Sequence, residues 1–221
     1  MEPNNDNLNG SAMDLTFEQS DALKELANIG CGNAVTALSK MLNKKIQMSL
    51  TSLVLNPIWK IMELIENKEF EVFGIFTSVN DNPNLALLQV YTKESILKII
   101  NVLFKQEDKK IADISDLRDL DDFTLSVISE IGNILAGHYI SSIAEIMHTK
   151  LIPDVPAMAF DNINAIMDPI IAKYSELVNY IVLINTNIKI EELNLDGKMF
   201  FIPDVDTLKS LYESLDIEYK L

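Results

Sequence analysis

From about Thr16 to Leu42 the apolar residues Leu23, Leu26, Leu38, Met41 and Leu42 recur at helical spacing, and Thr16 or Asp14 is placed to cap the helix. At Ile46–Leu55 the period changes. Ile46, Met48 and Leu50 alternate with Gln47, Ser49 and Thr51, the pattern of a half-buried strand. A short helix is expected around Pro57–Ile65, with the proline in its first turn. Two strands, Phe70–Val79 and Leu85–Tyr91, flank the turn formers Asn80 to Asn84. Thr92 predicts the N-cap of a helix reaching about Phe104, with Ile96, Ile99, Ile100 and Leu103 on its apolar side.

The charged stretch Lys105–Asp122 reads as a connector, and after it the same order returns. A long helix is expected from about Phe123 to His148, then a short strand near Ala157–Phe160 and a helix around Asn162–Lys173. Strands at Val178–Ile188 and Lys198–Pro203 follow, and a last helix covers Val205–Leu215 with Asp204 as its cap. The return is also visible residue by residue. Glu25-Leu-Ala-Asn28-Ile29 is matched 105 positions later by Glu130-Ile-Gly-Asn133-Ile134, and at that offset Gly32 falls on Gly137, Lys45 on Lys150 and Leu38 on Ile143. The expected fold is therefore α+β: one internally duplicated domain, its halves related by a pseudo-twofold axis. Two long helices pack on a six-stranded, mostly antiparallel sheet, because amphipathic elements of both halves must cover one another's apolar faces. Residues 1–14 read as a disordered tail and 15–221 as the domain, with repeats at about 15–105 and 118–215.

Composition narrows the function classes. The chain has 221 residues with 33 Asp+Glu against 18 Lys+Arg, a net charge of −15, which argues against a phosphate-backbone binder. One cysteine, Cys31, excludes an internal disulfide, and two histidines, His138 and His148, cannot supply a Cys/His zinc cluster. No apolar run is long enough to span a bilayer and the polar start resembles no secretory signal, so a cytoplasmic protein without membrane insertion is expected. There is no G-x-x-x-x-G-K-[ST] phosphate loop, and Gly30-Cys31-Gly32 follows a helix, not the strand that a dinucleotide turn requires. Cys31, Trp59 and the methionines read as core and interface filler.

The candidate chemistry lies on the two long helices. Asp21, Glu25 and Asn28 have the i, i+4, i+7 spacing that puts three side chains on one face, and Ser126, Glu130 and Asn133 repeat it. Small residues, Ala27, Gly30, Gly32 and Ala34 in one copy and Gly132, Ala136 and Gly137 in the other, are read as the opposite side, where the two helices cross closely. A solvated face is the ordinary explanation of Glu and Asn on one helix, and Asn28 before Gly30 also has the character of a C-cap. Their recurrence favours function. Solvation demands only polarity, and Asn is a mediocre residue for a helix interior.

Asp or Ser, three residues, Glu, two residues, Asn, then 22 residues and Pro is the pattern through which the chain resembles the CheC/CheX/FliY family of chemotaxis phosphatases. Ser126, Glu130, Asn133 and Pro156 fit it fully; Asp21, Glu25 and Asn28 fit it with Thr51 in place of the proline. The resemblance implies hydrolysis of the aspartyl phosphate of the response regulator CheY. Glu25 and Glu130 would engage the regulator's active-site lysine, Asn28 and Asn133 would orient the attacking water, and Asp21 and Ser126 would help bind substrate. It implies no cofactor in this chain, since the Mg²⁺ belongs to the regulator. It also implies a second partner, the receptor deamidase CheD, docking on the short helix through Asp161, Ile163, Ile166 and Met167. The alternative is a non-catalytic adaptor that sequesters CheD or CheY.

Overall fold

A computed structural model describes residues 16–64, 71–80, 82–103, 113–176, 178, 180–190 and 193–218. The expected tail 1–14 and the first part of the connector, 105–112, lie outside them. Helix α1, Phe17–Leu42, begins at a capping box: Thr16 Oγ1 accepts the Gln19 N–H at 3.2 Å, and Gln19 Oε1 accepts the Thr16 N–H at 3.0 Å. It runs through Asn28 without interruption and ends on Asn43 in the left-handed region (φ 48°), so Asn43, not Asn28, is its C-cap. Strand β1 (Ile46–Pro57), a 3-10 helix (Ile58–Leu64), strands β2 (Glu71–Val79) and β3 (Asn82–Thr92) and helix α2 (Lys93–Leu103) complete the first half. Thr92 caps α2 as expected, its Oγ1 accepting the Ser95 N–H.

The second half runs helix α3 (Asp122–Ile146), strand β4 (Ala157–Asn162), helix α4 (Ile163–Tyr174), strands β5 (Tyr180–Ile190) and β6 (Leu193–Ile202) and helix α5 (Val205–Glu213). Asp121 caps α3 and Asp204 caps α5, each carboxylate accepting a backbone N–H of the first turn.

All six strands form one antiparallel sheet in the order β1-β5-β6-β3-β2-β4. Exchanging β1, β2 and β3 for β4, β5 and β6 turns that order into its own reverse. The register obeys the same exchange. Leu55 pairs with Val182 and Phe160 with Phe73; Phe73 pairs with Tyr91 and Val182 with Phe201; Tyr91 pairs with Gly197 and Phe201 with Leu87. A twofold relation between the halves accounts for every one of these pairs.

The two faces of the sheet are covered differently. Helices α1 and α3 lie side by side on one face. Leu23, Leu26, Ala27, Cys31, Ala34 and Leu38 from α1, and Ile128, Leu135, Ala136, Tyr139, Ile140 and Ile143 from α3, are all buried there against strand residues such as Phe73, Ile75, Val182 and Phe201. Apolar residues of α2 and α5 extend that layer. The other face packs Ile58 and Ile61 of the 3-10 helix and Ile163, Ile166, Met167 and Tyr174 of α4 against Val72, Leu88, Val90, Leu183 and Phe200. Trp59 is an exception to the expected core role of the large apolar residues: it is 65% exposed, pointing away from the layer its neighbours fill.

Here the halves also diverge. Ser52, Asn185 and Lys198 occupy the positions equivalent to Ala157, Phe76 and Leu88. They form a polar chain in which Lys198 Nζ donates to Asn185 Oδ1 at 3.0 Å and Asn185 Nδ2 donates to Ser52 Oγ at 2.7 Å. They line a cavity of about 380 Å³ with Thr51, Val72, Thr92 and Phe200.

Candidate functional site on the two long helices

Because the buried stripes of α1 and α3 face the sheet and each other, the opposite stripes face solvent. Asp21, Glu25 and Asn28 are exposed on α1; Ser126 and Glu130 are exposed and Asn133 is half-buried on α3. Glycine 30 brings the helices together: a Cβ there would lie 3.1 Å from the Tyr139 ring. Beneath the site, Cys31 Sγ and Tyr139 Oη meet at 2.8 Å in the interior. Burial raises the thiol and pushes the phenol well above its ordinary range, so both are neutral packing groups at neutral pH.

Helix α3 is held firmly at its motif. A Cβ on Gly132, next to Asn133, would stand 2.6 Å from Ile75 Cγ2, so only glycine allows α3 to sit this close to β2. The Gly132 carbonyl also accepts Gln89 Nε2 at 2.8 Å, and Tyr91 Oη donates to Gln89 Oε1 at 3.0 Å, a buried relay from helix to sheet. Within the motif Asn133 Nδ2 lies 3.5 Å from Glu130 Oε2, a long contact that leaves the amide able to reorient. Ser126 Oγ donates to the Asp122 carbonyl one turn back. Among the described residues Asp21, Glu25 and Asn28 have no side-chain hydrogen bond or ion pair.

The motif's proline position is a backbone feature in both halves. Thr51 is the unpaired residue of a bulge in β1, between the pairs Leu50–Thr186 and Ser52–Asn185. Pro156 immediately precedes the first paired residue of β4, Ala157. Neither place needs an N–H for the ladder, so Pro and Thr are both accommodated there.

Two readings of the sequence change. Gly32 and Gly137 do not lie at the helix crossing; a Cβ on either would meet nothing within 4 Å. Each follows its motif asparagine by four residues and shares the solvent-facing side. Counting the angle per residue instead of grouping residues by size would have separated them from Gly30 and Gly132. The second change concerns α4. Ile163, Ile166 and Met167 are buried against the sheet, as the apolar side of an amphipathic helix must be, and cannot themselves meet a partner; Asp161 is exposed.

The exposed stripes can present carboxylate and carboxamide groups to something that docks on them. Among the described residues no three His, Cys, Asp or Glu side chains gather as a metal site, and no helix is long and apolar enough to cross a membrane.

A CheC-like family model matches residues 18–49 and 123–158, two segments that begin in the motif helices; the second passes Pro156 and the first ends two residues before Thr51. The CheY-P phosphatase CheC of Bacillus subtilis is 26% identical over 200 residues, covering 90% of this chain and 94% of that protein. The flagellar motor switch phosphatase FliY of the same organism is 25% identical over 205 residues, which are 91% of this chain and half (50%) of FliY. Among solved structures, Thermotoga maritima FliY superposes with a TM-score of 0.71 at 19% identity, covering 92% of this chain and 98% of that one. A chain of the FliG-FliM complex from H. pylori superposes with a TM-score of 0.65 at 12% identity, covering 89% of this chain and all (100%) of that one. At these identities the structural likeness speaks for the fold.

Proposed function

The chain belongs to the CheC/CheX/FliY family and is most like CheC; from that premise we propose that it is a phosphatase hydrolysing the aspartyl phosphate of a CheY-type response regulator. One observation carries this reading: the same Glu-x-x-Asn pair stands on the solvent side of both long helices, while the opposite stripe of each helix is buried.

An exposed helix face holds no small substrate by itself. The reacting centre is therefore completed by the surface of a docked protein, which brings the phosphoryl group. Glu25 or Glu130 forms a charge-assisted bond with a lysine beside the regulator's phospho-aspartate, which fixes the distance between the proteins. Asn28 or Asn133 then holds one water, its Oδ1 accepting a hydrogen bond from the water while its Nδ2 remains free to donate one, because a carboxamide hydrogen-bonds in both senses and is not a base. The water oxygen attacks phosphorus in line, the bond from phosphorus to the aspartyl oxygen breaks, and inorganic phosphate and a free carboxylate leave. Most of the acceleration in such a transfer comes from positioning and from charge neutralisation. The Mg²⁺ that supplies the latter is the regulator's, and the reaction belongs to the cytoplasm, where that regulator works. Asp21 and Ser126 extend the contact one turn toward the helix start.

A deamidase of the CheD kind is proposed to meet the exposed residues of this region, Asp161 near the end of β4 and Ala165, Asp168 and Pro169 of α4, since Ile163, Ile166 and Met167 are committed to the core.

The test is turnover. Added at a tenth of the concentration of phosphorylated regulator, the protein is expected to accelerate phosphate release until the whole regulator pool is cleared. Release that stops at the stoichiometric equivalent, or tight binding without acceleration, contradicts the enzyme and supports an adaptor.

A further inference from the structure

Two of the four glycines inside the long helices are explained by what they touch: Gly30 by Tyr139 and Gly132 by Ile75. Gly32 and Gly137 are not, since a Cβ at either position meets open space. They are equivalent in the two halves. Each stands one turn beyond its asparagine, about 6 Å along the axis and roughly 40° around it, on the side that carries Glu25 and Asn28 or Glu130 and Asn133. Glycine in a helix interior lowers stability relative to alanine. No contact within the described residues gains from the missing methyl group at either place.

Resting on the phosphatase reading, we infer that Gly32 and Gly137 are positioning residues: bare stretches of helix against which the docked response regulator lays its own main chain. A surface close enough to hand its phosphoryl group to Asn28 or Asn133 also covers the next turn of the helix. A methyl group there lifts the partner, and a displacement of about 1 Å at the reacting centre is enough to lose about 10²-fold in rate. The glycines touch no reacting atom. They set how near the carboxamide comes to phosphorus. The same arrangement in both halves ties the bare turn to the motif and not to local packing, which differs between the halves at Gly30 and Gly132.

The experiment compares the full chain with the Gly32→Ala/Gly137→Ala variant for thermal unfolding and for kcat/KM toward phosphorylated CheY. The two readouts are expected to move in opposite directions. Melting rises by about 2–4 °C per site through helix propensity, while kcat/KM falls at least tenfold, chiefly through kcat. Gly32→Leu/Gly137→Leu, also a good helix former, is expected to lose more. A double alanine variant with the activity of the unsubstituted chain overturns the inference. So does a fall in melting temperature that accompanies the loss, since that marks an internal packing role. If the unsubstituted chain fails to accelerate phosphate release, the phosphatase reading falls and the inference falls with it; an active chain with equally active glycine variants removes the inference alone.

Discussion

Asn28 and Asn133 matter here for what an amide can do that its neighbours cannot. It accepts and donates at once, and it keeps both abilities at every pH at which the fold persists. Three buried ionisable groups behave differently. Cys31, Tyr139 and Tyr91 lie in the interior, and burial is the main reason that the pKa of each is raised. The folded chain therefore holds these protons after the unfolded chain has released them. Their contribution to stability is complete below the ordinary thiol and phenol range and is lost as pH rises through it. Equilibrium unfolding in denaturant is expected to show falling stability from about pH 8.5 to pH 11. Stability that stays level or increases over that interval contradicts the burial of these groups. The candidate residues stood out in the sequence because the same Glu-x-x-Asn spacing occurs twice, 105 positions apart. The open surroundings of Gly32 and Gly137 did not, because residue size alone cannot tell which side of a helix a glycine faces.

At the scale of elements, period and capping residues located most of the structure. Thr16, Thr92 and Asp204 each cap the helix that follows, and Ile46, Met48 and Leu50 mark β1; the Asp121 cap of α3 was not read. Strand β6 was read too short. Its first half, Leu193-Asn-Leu-Asp-Gly197, carries turn-forming residues, yet it pairs along β5, with Leu195 opposite Ile188 and Gly197 opposite Thr186. Tertiary pairing overrides local preference there. The apolar residues of α4 were legible as one face, but periodicity does not say whether such a face is core or docking surface. The close approach of α3 to β2 is likewise invisible without coordinates. Gly132→Ala is expected to lower unfolding stability by about 1–3 kcal/mol, because the new methyl group has to displace Ile75. An unchanged or higher stability in chemical denaturation contradicts the tight seat described for that helix.

For the whole molecule, the sheet order that reads the same after the halves are exchanged explains how one domain carries two copies of the Glu-x-x-Asn motif. The twofold relation places α1 and α3 equivalently on one face of the sheet, and their outer stripes then repeat the same Glu and Asn. The other face differs between the halves. There Ser52, Asn185 and Lys198 stand where the other half has Ala157, Phe76 and Leu88, and the strand register is the same in both. Two equivalent sites make a quantitative claim about activity. The most direct measurement is the rate of phosphate release from phosphorylated CheY with the unsubstituted chain, Asn28→Ala, Asn133→Ala and the double variant, all shown to be folded by their unfolding transitions. Each single variant is expected to keep a substantial part of the rate, and the double variant to lose about 10²-fold or more of the acceleration. A folded double variant that releases phosphate as fast as the unsubstituted chain contradicts the account.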